Sequence, residues 1–367
     1  MQKDVYIGFV DFEKAFDRVS HDRLIEILEG VGIDQADIII ISNLYWNQQA
    51  TVKINGESTR SFEVKRGVRQ GCVLSPILYN IYSEIMMRDV LNSDIGIKVN
   101  GEIISSCRYA DDTALLAESE VGLQRVIDKL DRVGINYGLR INTKKTKVMV
   151  MSKAKVGPKI NITIRGEALQ QVSDFSYLGS LISSDGRCEK EVKKRIVLAK
   201  QAFVNLKEFF KSGVNLSLKK RLLECYVWSV VLYGSETWTL SKAMQARLGS
   251  FEMWCYRRIL KISYKEHISN ATVLSRIKSK SKLLKIHKQR KFKYFGHMIR
   301  AEGRLSVVCM GKIEGKRARG RQRLSWMDEV TNMAGSRDLR ELLSKAKDRW
   351  RWRAMASNPQ NWGRNPD

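Results

Sequence analysis

The stretch RYADDTALLAES, residues 108–119, decides the fold because it predicts a β-hairpin with two adjacent aspartates at its tip. Asp is common in turns, where it bonds its own backbone, so an exposed turn is the simplest interpretation of Asp111 and Asp112. The apolar flanks instead place the turn against a core, where unpaired carboxylates are costly unless a cation holds them. Oxygen ligands in this arrangement suit Mg²⁺.

A third carboxylate follows the apolar run at the amino terminus. Residues 5–10, VYIGFV, are typical of a strand covered on both faces, and Asp11 comes directly after them. If this strand lies beside the 103–117 hairpin, Asp11 and Asp111 converge and two divalent cations would fit between them. A two-metal site of this kind activates an attacking oxygen and stabilises a leaving oxygen in phosphoryl transfer.

The pattern of the first half predicts an α+β fold. Ser20 is a helix N-cap, Asn55-Gly56 predicts the turn of a hairpin within residues 51–64, and apolar residues follow Pro76 at helical spacing. A further amphipathic helix is predicted around 123–133, and KVMVM at 147–151 predicts a strand. This order indicates an antiparallel sheet with helices on one face.

The second half of the chain changes character near Gly186. Apolar residues from Ile196 to Phe210 predict one long amphipathic helix, and further helical patterns cover 216–234 and 245–262. We therefore predict three regions, 1–185, 186–275 and 276–367, of which the last begins where basic residues become dense.

The charge of the chain is strongly positive. It carries 65 Lys and Arg against 39 Asp and Glu, a formal net charge of +26. The 48 residues from Arg276 to Arg323 contain 17 Lys and Arg against two Glu, a net of +15. A block of this density favours a phosphate-bearing partner such as nucleic acid, and an anionic membrane surface is the main alternative.

Other features narrow the class of protein. The six cysteines show no CxxC spacing, which is typical of reduced intracellular thiols, and the four histidines lie far from any cysteine pair. The amino terminus lacks the pattern of a signal peptide, and the longest apolar run, at 227–234, is too short to cross a bilayer. We therefore expect an intracellular protein without a membrane span.

Five motifs together resemble the reverse transcriptases of non-LTR (LINE-like) retrotransposons. In the order of that family they are DFEKAFD at 11–17, RQGCVLSPILYNIY at 69–82, YADD at 109–112, GLRINTKKTK at 138–147 and FSYLGSLIS at 175–183. The stretches YGSETW at 233–238, FGHMIR at 295–300 and GKRARGRQRLSWMDEV at 315–330 also resemble the carboxy-terminal part of such elements. The five main motifs span about 175 residues of the chain.

The resemblance implies a right-hand polymerase palm, then a helical thumb-like region and a basic helical carboxy-terminal region. It implies RNA-directed DNA synthesis from deoxynucleoside triphosphates, with an RNA template and a DNA primer or target as partners. Asp11, Asp111 and Asp112 would be the catalytic triad that holds Mg²⁺, for which Mn²⁺ is a possible substitute. The protein would then be expected in nucleus and cytoplasm.

The resemblance also implies a nucleotide site. Phe16 falls where the family places the bulky ring that excludes a 2′-hydroxyl, although a core aromatic is the alternative interpretation. Arg69, Gln70 and Gly71 would lie against the incoming nucleotide and template, where glycine permits close backbone approach. A simple turn before the helix start is the alternative for Gly71.

Two further elements follow from the resemblance. Lys145 is the candidate for a cation near the leaving pyrophosphate, with Lys144 and Lys147 as competitors and a solvated strand edge as the alternative. Tyr177, Leu178 and Gly179 would form the primer-grip turn, for which hydrophobic hairpin packing is the alternative.

Nucleic-acid contacts are expected from the basic segment. The candidates are Lys288, Arg290, Lys291, Lys293, Lys316, Arg317, Arg319, Arg321 and Arg323. Trp326, Trp350, Trp352 and Trp362 would stack on bases or, for most of them, pack between helices.

Family members carry a fingers region, and many an endonuclease, before the first catalytic strand. Neither is found in this sequence, so we expect the chain either to be a fragment of a longer polyprotein or to act with fingers supplied elsewhere. Two hypotheses remain from the sequence. The chain is an RNA-directed DNA polymerase, or it is an inactive remnant that binds nucleic acid through its basic segment.

Overall fold

The computed structural model describes residues 3–46, 48–91, 95–154, 157–301, 303–311, 324–335 and 338–357. Lys316, Arg317, Arg319, Arg321, Arg323 and Trp362 lie outside these residues. The chain forms two compact units, of which the first ends at Leu178 and the second begins at Gly179. The division into palm, thumb-like and basic regions at 186 and 276 stays a prediction.

The first unit is built on a five-stranded sheet. In spatial order its strands are β13 (Gln170–Gln171), β10 (Lys147–Met151), β1 (Val5–Val10), β9 (Asp112–Ala117) and β8 (Ser106–Tyr109). Strand β1 (Val5–Val10) is central and pairs antiparallel with both β9 and β10. The other strands of this unit, in chain order, are β2 (Gln49–Ala50), β3 (Lys53–Ile54), β4 (Glu57–Ser58), β5 (Phe62–Glu63), β6 (Ile97–Val99), β7 (Glu102–Ile104) and β8 (Ser106–Tyr109). They continue with β9 (Asp112–Ala117), β10 (Lys147–Met151), β11 (Thr163–Ile164), β12 (Glu167–Ala168), β13 (Gln170–Gln171) and β14 (Asp174–Tyr177).

Four helices of the first unit are α1 (His21–Gly30), α2 (Gln35–Tyr45), α3 (Ser75–Val90) and α4 (Glu120–Asn136). Local signals explain their starts. The Ser20 side chain accepts a hydrogen bond from the Arg23 N–H, and Pro76 stands in the first turn of α3, where a missing N–H costs nothing. Leu123, Ile127 and Leu130 of α4 are fully buried on one face.

The predicted α+β architecture of the first half is confirmed. The 147–151 strand has the predicted bounds, and Asn55 and Gly56 both have positive φ, at 51° and 95°, between β3 and β4. The core of the unit joins the sheet to α1, α3 and α4 through apolar residues such as Val10, Leu115 and Tyr79. The sheet is therefore held by the helices that share this core.

The second unit begins with β15 (Ser180–Ser183) and is otherwise helical in its described residues. Its helices are α5 (Glu189–Asn205), α6 (Lys207–Lys211), α7 (Leu216–Leu222), α8 (Ser229–Val231), α9 (Lys242–Ile259), α10 (Asn270–Arg276), α11 (Leu283–Arg300), α12 (Arg304–Met310), α13 (Trp326–Ala334), α14 (Leu339–Lys347) and α15 (Arg349–Ser357). A π-helical turn, Leu223–Trp228, joins α7 to α8.

One helix prediction in this unit is wrong. The helix expected to run continuously to Phe210 breaks at Leu206, which lies between α5 and α6. The break lets Phe210 fold back onto Phe203, and the two rings stack with centroids 4.5 Å apart. Aromatic packing in the tertiary structure therefore overrides the apolar spacing along one helix.

The tryptophans near the carboxy terminus differ in how far their side chains are buried. Trp352 is 2% exposed and stacks on Phe292, with ring centroids 4.2 Å apart. Trp326 is half-buried and its indole N–H donates to the Glu236 carbonyl, whereas Trp350 is 78% exposed. Helix packing therefore accounts for Trp326 and Trp352. Among the described residues, no helix combines the length and the hydropathy that a bilayer crossing needs.

Candidate active site

Three carboxylates meet at one end of the central sheet. Val10 pairs with Thr113, so Asp11 continues β1 beside Asp112, the first residue of β9. Asp111 lies in the two-residue turn between β8 and β9, which Tyr109 and Asp112 close as a pair. The antiparallel register thus brings together residues that are about 100 positions apart in sequence, as the sequence predicted for Asp11 and Asp111.

The positions of the adjacent aspartates Asp111 and Asp112 differ from the prediction in two respects. Asp112 opens β9 and does not lie at the tip, where Ala110 adopts a positive φ of 52°. The pair is also not enclosed in a core, because Asp111 and Asp112 are both exposed and Tyr109 is 69% exposed. Burial begins only at Thr113, Ala114 and Leu115. The hairpin therefore presents its carboxylates at the exposed end of a buried strand.

Asp11 is fixed through its backbone. Its N–H donates to the Thr146 hydroxyl (3.2 Å), and its carbonyl accepts from the Asn142 N–H (2.8 Å). Its Oδ2 atom is buried and has no hydrogen-bond partner, while the Lys145 ammonium lies 3.7 Å from it. Since a buried carboxylate oxygen normally has partners, this atom is available to a ligand.

Electrostatic repulsion accumulates at this end of the sheet. Partial loss of hydration at the end of β9 raises the pKa of Asp112, and the negative charges of Asp111 and Asp11 raise it further. The three carboxylates therefore act on one another, and a bound cation would relieve the repulsion.

The three carboxylates meet only part of what a hard divalent cation such as Mg²⁺ needs as ligands. Within the described ranges, no three His, Cys, Asp or Glu side chains form a group that would hold a metal ion by themselves. Carboxylate oxygens are nevertheless the ligands that Mg²⁺ prefers, and this ion commonly takes one or two carboxylates and completes its shell with water and substrate phosphate. Asp11 Oδ2, which accepts no hydrogen bond, and the neighbouring carboxylate of Asp112 fit that pattern.

The lysines after Asn142 differ in position. Lys145 forms the ion pair with Asp11, and its side chain is 69% exposed. Lys147 directs its ammonium to the Lys144 carbonyl. Lys145 is therefore the one of these three whose charge is seen to face the carboxylates, and its role stays a prediction.

Phe16 and the segment around Gln70 are brought together. Phe16 lies in a short 3-10 helix, Ala15–Arg18, and its carbonyl accepts from the Val68 N–H (2.9 Å). The Gln70 amide donates to Asp17 Oδ1 (3.3 Å). Gly67 allows this approach, because its φ is 96° and a Cβ there would lie 2.9 Å from the Asp17 carbonyl oxygen.

Arg69 and Gly71 are exposed on the same segment. The Arg69 carbonyl accepts from the Ser75 hydroxyl (2.6 Å), which fixes the backbone at the start of α3. Gly71 has a φ of 86°, with open space where a Cβ would stand. The turn interpretation of Gly71 is thus compatible with its conformation, and a role in nucleotide contact stays a prediction.

Tyr177 contacts the β8–β9 hairpin. Its hydroxyl lies 2.8 Å from the Cys107 carbonyl and 3.2 Å from the Asp112 carbonyl, and its ring lies 5.7 Å from that of Phe9. Burial, followed by Cys107 and Asp112, raises the pKa of Tyr177 to about 12. The hydroxyl therefore stays protonated and can donate to these carbonyls.

The turn that follows is tightly constrained. Leu178 and Gly179 both have positive φ, at 47° and 76°. In the second unit, the Gly179 carbonyl accepts from the Arg195 guanidinium, which also pairs with Glu191 (2.6 Å). Packing explains part of this turn, and its contact with a primer stays a prediction.

The predicted nucleic-acid contacts on α11 differ in the exposure of their side chains. Lys288 and Lys293 are exposed, as is Arg290, although its guanidinium donates to the Leu232 carbonyl (2.7 Å). The prediction for Lys291 is wrong. This side chain is 0% exposed and its ammonium is shared between Glu329 and the Trp238 carbonyl, so it cannot reach a phosphate.

Sequence reasoning missed two residues of the site. Thr146 holds the Asp11 N–H, and Tyr79 stacks on Phe16 with ring centroids 4.4 Å apart. Tyr79 lies in the motif at 69–82 and recurs at helical spacing with Tyr82, which marks both as core residues of α3. Nothing in the spacing indicates that the ring of Tyr79 faces Phe16.

Comparison with known proteins agrees with the motifs. Residues 1–182 match the family "Reverse transcriptase (RNA-dependent DNA polymerase)". The retrovirus-related Pol polyprotein from type-2 retrotransposable element R2DM of Drosophila melanogaster is 32% identical over 197 residues, which are 50% of this chain and 18% of that protein. The RNA-directed DNA polymerase from mobile element jockey, of the same species, is 27% identical over 184 residues, which are 48% of this chain and 19% of that protein.

A transposon-derived protein of Caenorhabditis elegans is 28% identical over 277 residues, which are 70% of this chain and 97% of that protein. Among solved structures, apo telomerase from Candida tropicalis aligns at 16% identity over 80% of this chain and 47% of that chain, with a TM-score of 0.41. The chain spans about a fifth of the length of the R2DM and jockey proteins that it matches. Residues 1–182 are therefore a reverse transcriptase domain, related to those of the R2 and jockey non-LTR retrotransposons.

Proposed function

We propose that this chain carries out RNA-directed DNA synthesis, the addition of deoxynucleotides to a primer 3′-hydroxyl along an RNA template. The observation that carries the proposal is the convergence of Asp11, Asp111 and Asp112, with a buried Asp11 oxygen that lacks a hydrogen-bond partner. In the reaction, the primer 3′-oxygen forms a bond to the α-phosphorus of the nucleotide, the bond to pyrophosphate breaks, and the 3′-hydroxyl proton is released.

Each residue of the site has a proposed part in this reaction. Asp11 and Asp111 would hold the divalent metal ions, with Asp112 completing the acidic set. Mg²⁺ is the proposed ion and Mn²⁺ the substitute. When bound, the ions would lower the charge repulsion between primer, triphosphate and carboxylates. Lys145 would add positive charge beside the leaving pyrophosphate.

The substrate contacts are proposed in the same way. Phe16 would exclude a ribose 2′-hydroxyl, while Arg69, Gln70 and Gly71 would contact the nucleotide and template. Tyr177, Leu178 and Gly179 would position the primer end. The RNA template, the DNA primer or target, and the fingers and endonuclease regions of a longer polyprotein are the proposed partners.

Primer extension tests the proposal. The chain is incubated with a DNA primer on RNA or DNA templates, deoxynucleotides, and Mg²⁺ or Mn²⁺. We expect metal-dependent extension, which Asp111→Asn lowers by about 100-fold or more because it removes a charge from the reacting centre. Asp22→Asn, at the exposed first turn of α1, is the matched control and should leave extension unchanged.

Two outcomes contradict the proposal. One is the lack of metal-dependent extension by the wild-type chain. The other is extension that Asp111→Asn leaves at the level of Asp22→Asn. Retention of nucleic-acid binding without extension would instead support the inactive remnant.

A further inference from the structure

Tyr79 is a buried tyrosine behind Phe16. It is 0% exposed, and its ring stacks on that of Phe16 with centroids 4.4 Å apart and an angle of 19° between the planes. Its hydroxyl is buried and has no hydrogen-bond partner. Burial, followed by the charge of Asp111, raises the pKa of Tyr79, so the phenol stays neutral beside the carboxylates. The side chain thus stacks on Phe16 and lies within the electrostatic influence of Asp111.

Phe16 packs against the core of the first unit, and Tyr79 is the residue whose ring stacks on it. Phe16 lies in a four-residue 3-10 helix that starts after Lys14, whose φ is 49°, and its side chain is only half-buried. The hydrogen bond from the Val68 N–H fixes the Phe16 backbone, but the rotation of the ring about its side-chain bonds is set by packing. A flat, immobile ring on one face restricts that rotation, because stacked aromatic pairs have a preferred geometry.

We propose that Tyr79 is a specificity-determining positioning residue, whose ring holds Phe16 in the orientation that excludes a 2′-hydroxyl. The inference rests on the proposed function and adds a residue to it. It assigns the selective effect to the ring of Tyr79 and none to its hydroxyl. It requires Tyr79 to act only through Phe16.

The test compares the incorporation of deoxynucleotides and ribonucleotides by primer extension, as the ratio of the two kcat/KM values. Tyr79→Leu should reduce the preference for deoxynucleotides by about two- to tenfold, the range expected from the loss of one aromatic pair. Tyr79→Phe keeps the ring and should keep the wild-type ratio. Phe16→Val should reduce the preference at least as much, and adding Tyr79→Leu to it should change the ratio no further.

Tyr82 provides the matched control. It lies on the same helix, is 0% exposed, and its hydroxyl donates to the Tyr137 carbonyl (2.5 Å), away from Phe16. Tyr82→Phe should leave the ratio of the two kcat/KM values at the wild-type value. If Tyr79→Leu does not fold, Tyr79→Met serves in its place, because an unbranched side chain fills the space without a flat face.

Three outcomes overturn the inference. The first is a wild-type ratio in a folded Tyr79→Leu or Tyr79→Met chain. The second is an equal shift of the ratio in Tyr82→Phe. The third is a further shift caused by Tyr79→Leu when Phe16 is already Val. Failure of the proposed function is distinguishable, because the wild-type chain would then incorporate neither kind of nucleotide.

Discussion

His287 is buried in the second unit without the partners that a buried imidazole usually has. It is 1% exposed, and neither ring nitrogen makes a hydrogen bond of normal geometry. Burial and then the charges of Lys291 and Lys288 lower the pKa of His287 to about 3, while a weaker interaction with the Ser235 backbone opposes the shift. The folded chain therefore keeps this ring neutral at pH values where an unfolded chain would protonate it.

This predicts a loss of stability in acid. Between pH 6.5, the ordinary pKa, and about 3, the unfolded state binds a proton that the folded state does not. The stability contributed by His287 is therefore present above pH 6.5 and falls by about 1.4 kcal/mol for each unit as the pH decreases. Denaturant unfolding between pH 7 and 4.5 should show a shallower decline of stability in His287→Phe than in the wild-type chain.

His297 is the matched control because it is exposed on the same helix. His297→Phe should keep the wild-type dependence of stability on pH. Equal slopes in the wild-type and His287→Phe chains would show that His287 titrates normally in the folded state.

At the scale of the element, α11 shows why a basic segment cannot be assigned to phosphate from composition alone. Lys291 pairs with Glu329, which lies 38 residues away in sequence. Lysine is normally exposed, which is why the sequence predicts Lys291, like its exposed neighbours, as a candidate phosphate contact. The pattern His287, Lys291, Phe295, at every fourth position, in fact marks the buried face.

Replacement of Lys291 should therefore destabilise the fold. Burial lowers the pKa of Lys291, and Glu329 is what opposes this shift. Lys291→Met would leave the Glu329 carboxylate buried and unpaired, at a cost of about 3–5 kcal/mol in the free energy of unfolding. Lys293→Met, on the exposed face, should change stability by no more than about 0.5 kcal/mol. Chemical denaturation of both variants measures the difference.

A second variant separates the ion pair from simple packing. In Lys291→Met with Glu329→Leu, both charges are gone, and much of the lost stability should return because no charge stays unpaired. If the double variant is less stable than Lys291→Met alone, the destabilisation comes from packing and not from the uncompensated Glu329 charge.

Local signals allowed many elements of the first unit to be predicted. The apolar run of β1, the Ser20 cap and the Asn55-Gly56 turn each depend on neighbours in sequence, and each is found in the structure. The break at Leu206 could not be predicted, because it depends on the contact of Phe210 with Phe203. The stacking of Tyr79 on Phe16 is likewise a contact between distant segments, which spacing within one helix cannot reveal.

At the scale of the whole molecule, the net charge of +26 should govern how the chain binds the nucleic acid of the proposed function. Most of the binding free energy should come from the release of counterions around phosphates, which does not depend on the carboxylates of the sheet. Binding and chemistry are therefore expected to be separable, since the exposed lysines of α11 and the Asp11 site belong to different units.

The salt dependence of affinity tests this separation. For a duplex, log K should fall linearly with log salt, with a slope near −0.9 for each phosphate contact. Replacing both Lys288 and Lys293 with Ala should reduce the magnitude of the slope by about 1.8, because two contacts are lost. Lys153→Ala, an exposed residue beyond the end of β10 opposite the carboxylates, should leave the slope unchanged, as should Asp111→Asn. Fluorescence anisotropy with a labelled duplex from 50 to 200 mM salt measures the slopes. A slope that changes in Asp111→Asn, but not when the α11 lysines are replaced, would place the phosphate contacts at the carboxylate end of the sheet.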